Sequence, residues 1–155
     1  MTTDAQPTGR PAEATYGPLL ARHLEAENAR RLDETLATLT DDCLFEDLAL
    51  GRAFHGRRGA GECYRLWWDA FEIVVHGERL HWTEDGAAVA EARYRGTHVG
   101  AFLGIPATGR PIDLPIAVVI TFKDGLMAGE RFYYDLATLL RQLGAASPPP
   151  GVHRA

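Results

Sequence analysis

The chain is 155 residues long, with 16 Lys and Arg against 21 Asp and Glu and a formal net charge of −5. That length suits one domain that buries roughly 70% of the surface its unfolded form exposes, so one core and one pocket are expected. No run of Lys or Arg tracks a phosphate backbone, and the most hydrophobic run, Ile112 to Phe122, carries Asp113 and Pro115 and falls short of the roughly 18 apolar residues of a membrane-spanning helix. Neither nucleic acid nor a membrane is an expected partner.

Pro, Gly and Thr crowd residues 1–14, and Ser147 to Gly151 read SPPPG, which marks disordered ends (1–14 and 145–155) around one folded segment, 15–144. The opening stretch carries Asp4 and Glu13 and no apolar run, so neither a signal nor a transit peptide is expected and the location implied is cytoplasmic. From Pro18, a good first-turn residue, Leu20, His23, Leu24 and Glu27 recur at helical spacing, and a second short helix carries Leu32, Leu36 and Leu39. Cys43 to Leu48 follows as a short apolar segment ending in Glu46 and Asp47. The stretch Gly51 to Gly61 is rich in turn residues. Its Gly56-Arg57-Arg58-Gly59-Ala60-Gly61 lacks the Lys-Ser/Thr end of a phosphate loop and reads as a turn into a third helix, which holds Tyr64, Trp67, Trp68 and Phe71 on one side.

The period then changes to two, with strands expected at Ile73 to Trp82, Ala87 to Arg95, Ile112 to Lys123 and Leu126 to Tyr134. Glu84-Asp85-Gly86 and Lys123-Asp124-Gly125 supply hairpin turns, because glycine reaches positive φ without strain. Asp135 to Leu143 reads as a short closing helix, capped by Asp135 and stopped at Gly144. Helices first and strands last argue for an α+β fold, with a curved antiparallel sheet covered on one face by the N-terminal helices. Cys43 and Cys63 lack CxxC or Cys/His spacing and read as buried free thiols. His76, His81 and His153 lack partners at ligand spacing, so no metal site is expected.

The stretch Tyr94 to Arg110, YRGTHVGAFLGIPATGR, resembles the strand-loop-strand signature of SnoaL-like polyketide cyclases. Phe122 to Leu126, and Tyr134-Asp135-Leu136 with Leu139, Leu140, Gln142, Leu143 and Gly144, resemble that family's closing hairpin and tail helix. Asp41 to Asp47 ahead of a glycine-rich turn is similar to the general-base segment of ketosteroid isomerases. The resemblance spans residues 18–144 and implies a cone-shaped α+β half-barrel around one pocket. That fold hosts cyclases, isomerases, dehydratases, hydrolases and plain binding modules, so function has to be argued from the site.

Strand parity decides which residues reach the concave face. Between Ala87 and Arg95 the small set Ala88, Ala90, Ala92 and Tyr94 faces inward, leaving room for a ligand or lying beneath Trp67, Trp68 and Phe71. Glu91, Arg93 and Arg95 then face solvent or a dimer partner. With the family pairing as guide, Glu130, Phe132 and Tyr134 also point inward. A carboxyl among aromatic side chains is disfavoured as the anion, so Glu130 suits a general acid/base, unless it pairs with Arg131 or another rim arginine.

The isomerase resemblance places Asp47 as a base beside the mouth, facing the third helix, with a turn-capping aspartate as the alternative. It places His23 where an oxyanion-binding tyrosine lies, with an internally bonded core histidine as the alternative. His98 of the loop signature is expected at the pocket mouth or bonded to loop backbone. Trp67, Trp68 and Tyr64 are expected in the core, with at least one in the pocket wall. The family's titratable position on the next strand falls on Ala117, which makes steroid isomerisation by that arrangement doubtful. The implied function is a cofactor-independent cyclase or isomerase that acts on a hydrophobic carbonyl compound through Glu130, Asp47 and His23, with Tyr134, Phe132, Trp67, Trp68, Tyr64, Tyr94 and His98 binding substrate. A binding module without turnover, or a dehydratase or hydrolase, are the alternatives. A homodimer is expected.

Overall fold

The computed structural model describes residues 10–145. Three helices come first: α1 (Arg10–Asn28), α2 (Leu32–Ala37) and, after the strands β1 (Leu39–Asp47) and β2 (Arg52–His55), α3 (Gly56–Ala70). Four strands follow, β3 (Phe71–Trp82), β4 (Ala88–His98), β5 (Pro111–Lys123) and β6 (Leu126–Tyr134), and then α4 (Leu136–Gln142). The six strands form one open sheet in the order β2-β1-β6-β5-β4-β3. The expected α+β half-barrel with helices against a curved sheet is what the chain forms.

Four strands and both hairpins fall where period and turn chemistry put them. The β5–β6 turn uses Asp124 and Gly125, both at positive φ (53° and 80°). Thr83 closes the β3–β4 turn, its amide donating to the Ala87 carbonyl at 2.9 Å. Asp135 caps α4 by accepting from the Ala137 amide at 3.1 Å.

Three expectations need correction. The sheet is not four antiparallel strands, because β1 and β2 add to it and β1 runs parallel to β6, pairing Phe45 with Glu130 and Asp47 with Phe132. The strand hides in the sequence because its inward row, Cys43, Phe45 and Asp47, ends in a buried carboxylate. β2 is only four residues long and set among glycines. Second, α1 starts eight residues ahead of Pro18, so residues 10–14, expected to be disordered, are helical. Tyr16 stacks on Phe122 with centroids 4.2 Å apart, and this docking holds the first half of the helix on the sheet despite the backbone bond that proline removes. Third, Gly56 to Gly61 is the first turn and more of α3, not a loop before it. The rest of the expected disordered ends, with His153, lies outside the described residues, apart from Ala145, whose amide donates to the Leu140 carbonyl.

The core between sheet and helices is aromatic around Trp67, which packs on Phe71, Phe102, Tyr94 and Tyr134 at centroid distances of 5.3–5.5 Å. Cys43 and Cys63 are buried and free. No described helix is long and apolar enough to cross a membrane.

The approach of β1 to β6 depends on Gly129. A methyl group there would collide with the Leu44 carbonyl, a backbone atom that cannot swing aside. Gly129→Ala is expected to lower stability by about 1–3 kcal/mol, the usual cost of forcing an extra carbon into a packed site, measured from the urea unfolding midpoint at constant m. An unchanged midpoint would contradict the parallel β1–β6 contact.

Candidate active site

The inward faces of β4, β5 and β6 and one side of α1 enclose a cavity of about 400 Å³. From α1 come Leu20, His23, Leu24 and Glu27, and from β4 Ala90, Ala92 and Tyr94. Ile116, Val118 and Ile120 of β5 and Glu130 and Phe132 of β6 complete its depth, while Val75 and Gly77 to Leu80 of β3 form its rim. Ala90 and Ala92 leave the space that larger side chains would fill, as strand parity implied. A second cavity of about 20 Å³, close to the size of one water molecule, lies deeper between Glu27, Cys63, Tyr64, Trp67, Phe132 and Tyr134.

Polar chemistry is concentrated where α1 faces β6. His23 is 3% exposed and Glu130 8% exposed. The His23 Nε2 atom lies 3.6 Å from Glu130 Oε1 and 3.7 Å from Glu27 Oε2, beyond hydrogen-bonding range of either. Its bonded partners fix the ring. Thr38 Oγ1 donates to the Thr35 carbonyl at 2.6 Å, leaving lone pairs to accept from His23 Nδ1–H at 2.7 Å. Nε2 then presents its lone pair and accepts from the Tyr64 hydroxyl at 3.0 Å.

Burial drives every titratable group here toward its neutral form. Desolvation pushes His23 down to about 4, against a smaller opposing effect of the Thr35 carbonyl. It pushes Glu27 up to about 7, and it raises Glu130 well above the usual carboxylate range, helped by the Glu27 charge. The distances would allow ion pairs with a protonated His23. At 3.6–3.7 Å in an apolar wall the attraction does not offset the desolvation of both charges, so the neutral imidazole is the form that fits. Such a cluster can take a proton from, or give one to, a ligand in the cavity.

The expected site residues separate into those in the cavity and those outside it. Glu130, His23, Phe132 and Tyr94 line the main cavity, and Trp67, Tyr64 and Tyr134 line the small one. Arg131 points to the opposite, exposed side of the strand, so it does not pair with Glu130. Asp47 is fully buried but lines neither cavity. Both its oxygens accept the Tyr134 hydroxyl at 3.0 Å and Oδ1 accepts the Leu50 amide at 3.0 Å, so it holds Tyr134 and closes a turn instead of standing at the mouth. Burial raises its pKa, partly offset by those bonds.

His98 is fully buried away from the cavity. Its Nδ1 accepts from the Thr108 amide at 3.2 Å and lies 2.9 Å from that residue's hydroxyl, so it anchors the β4–β5 loop and is not a gate. Trp68 lines neither cavity and packs on Tyr64 at 5.2 Å. Ala117 faces outward; the inward residues beside it are Ile116 and Val118, which also carry no titratable group. His81 has an acidic partner after all, Glu91 of the neighbouring strand at 2.8 Å on the outer face. Among the described residues no three His, Cys, Asp or Glu side chains converge to hold a metal ion.

Glu27 is the site residue that sequence reasoning passed over. The signal was its position one turn after His23 on the same face; what sequence lacks is that β6 brings a second carboxyl against that face.

A family model described as SnoaL-like polyketide cyclase matches residues 19–143. Over 82 residues the chain is 35% identical to aklanonic acid methyl ester cyclase DnrD of Streptomyces peucetius and to DauD of Streptomyces sp. strain C5. Those matches cover 52% of this chain and 57% and 51% of the two relatives, so the chain spans about half the length of each. Among solved structures, a SnoaL-like protein from Jannaschia sp. CCS1 superposes with a TM-score of 0.78 at 23% identity, covering 95% of this chain and all of that one. TsrD from Streptomyces laurentii gives 0.74 at 29% identity, covering 85% and 96%. A protein of ketosteroid isomerase-like fold from Catenulispora acidiphila gives 0.70 at 20% identity, covering 84% and 97%. With a family model that matches from the second half of α1 through α4, this chain belongs to the SnoaL-like polyketide cyclase family.

Proposed function

We propose that the protein is an acid/base ring-closing enzyme that acts on a hydrophobic, carbonyl-containing small molecule of polyketide type. The observation that carries this reading is the place of Glu130, a carboxyl buried in the wall of an apolar cavity, where desolvation raises its pKa well above the usual carboxylate range. A carboxyl shifted in that direction is better matched to giving and taking protons at neutral pH than an exposed one. In the reaction a C–H bond next to one carbonyl breaks, its electron pair forms a C–C bond to a second carbonyl carbon, and that carbonyl oxygen takes up a proton. Leu20, Leu24, Ile116 and Val118 supply the dry surface that holds the substrate, and Tyr94 and Phe132 supply flat faces for an aromatic ring.

A binding module with no turnover is the second reading, favoured by β5, whose inward row of Ile116, Val118 and Ile120 offers no second acid. Turnover separates the two. Aklanonic acid methyl ester, the compound named for the curated relatives, is the first substrate to assay. Glu130→Gln is expected to lower kcat by about 100- to 10,000-fold with KM changed by less than about threefold. Wild-type protein that binds the ester without converting it or related esters would favour the binding module.

We also propose a homodimer through the outer face of the sheet, where exposed Val74 and Tyr133 lie beside the Arg93–Asp113–Arg95 ion pairs. Sedimentation is expected to give twice the 17.0 kDa of one chain, and Arg93→Glu is expected to shift it to the monomer. A wild-type species of single-chain mass would reject the dimer.

A further inference from the structure

Glu27 stands one turn after His23 on α1 and lines both the main cavity and the small one behind it. Glu130 reaches the same point from β6. Both carboxyls approach the same atom, His23 Nε2, at 3.7 Å for Glu27 and 3.6 Å for Glu130. No side chain among the described residues hydrogen-bonds either carboxyl, and their side chains are only 16% and 9% exposed. Such groups are costly to bury as anions and have no fixed partner to satisfy them.

We infer that Glu27 and Glu130 work as one two-carboxyl acid/base unit that holds a single proton between them, with Glu27 a second catalytic residue that touches substrate. The inference rests on the acid/base reading of the site given above. The remaining titratable groups facing the pair do not neutralise it. His23 on α1 is neutral, and Cys63 and Tyr64 on α3 and Tyr94 on β4 all keep their protons because burial raises each of them. From β3, Glu78 and the largely exposed Arg79 reach only the rim, and β5 contributes no ionisable side chain. Two carboxyls in one apolar site cannot both ionise cheaply, which is the physical basis for a shared proton.

The unit balances a ring closure without outside acid or base. The ionised carboxyl takes the C–H proton while the new C–C bond forms. The protonated carboxyl delivers its proton to the carbonyl oxygen that becomes the alcohol. The pair ends the turnover with one proton, now on the other carboxyl.

Carboxyl-carbon NMR of the ligand-free protein across pH, in wild type, Glu27→Gln and Glu130→Gln, tests the pair without a substrate. Wild type is expected to show two steps, and removing either charge is expected to lower the midpoint of the remaining carboxyl by more than about one pH unit. A Glu130 midpoint unmoved by Glu27→Gln would overturn the inference. If a Gln variant does not fold, Glu27→Asp with the wild-type titration serves in its place; a single-step wild-type curve for each carboxyl at its ordinary value would equally overturn it. In the ester assay Glu27→Gln is expected to lose about 100-fold or more in kcat and to lose the acidic limb of the pH profile. Turnover retained within about threefold in Glu27→Gln but lost in Glu130→Gln would leave the cyclase reading standing and remove Glu27 from it. Interacting titrations with no turnover of any ester would keep the pair and reject the cyclase reading.

Discussion

Desolvation of two carboxyl groups in a wall of aliphatic and aromatic side chains is the constraint on which the chemistry proposed for this protein rests. Apart from the largely exposed Arg79 at the rim, no arginine or lysine lines the cavity, and the polar atom that both Glu27 and Glu130 approach is the unprotonated Nε2 of a neutral histidine, 3.7 and 3.6 Å away. In such surroundings the proton is the least costly partner a carboxylate can find. The acid/base role proposed for the site therefore follows from what is missing around it as much as from the two residues themselves.

The fold supplies that surrounding in stages. Ala90 and Ala92 on β4 thin out the concave face, β5 lines it with Ile116, Val118 and Ile120, and Gly129 lets β1 pack closely enough on β6 to hold Glu130 in register with Phe45. Behind the cavity, Asp47 and Tyr134 form a tight hydrogen-bonded pair next to Trp67. A carboxylate satisfied by a hydroxyl and an amide is suited to orienting an aromatic wall, whereas an unsatisfied one is suited to exchanging protons. The hydrogen bonding of Asp47 thus suits it to a different end from the one proposed for Glu27 and Glu130.

Much of this was legible in the sequence, for identifiable reasons. Alternation gave the inward row of β4, and on β6 the same count needed the family pairing as a guide to turn Glu130, Phe132 and Tyr134 inward. The loop signature from Tyr94 to Arg110 carried the family. What escaped were relations that depend on tertiary contact. β1 lies inside the sheet, between β2 and β6, but ends its inward row with Asp47, which breaks the apolar pattern. Pro18 suggested a helix start because its cost is local, while the Tyr16–Phe122 stack that offsets it spans the chain. His98 and Asp47 drew attention as polar residues in family positions, and only the Thr108 and Tyr134 bonds show them to be structural. Glu27 was visible beside His23, but its meaning needed the opposite strand.

The central claim, that the cavity holds a proton on a carboxyl at neutral pH, is most directly tested by difference infrared spectroscopy of wild type against Glu130→Gln and Glu27→Gln near pH 7. The account predicts a protonated-carboxyl C=O stretch in the wild type, insensitive to solvent pH over the range in which exposed carboxylates are fully ionised, and lost or shifted in either variant. A wild-type spectrum with carboxylate bands alone would contradict it.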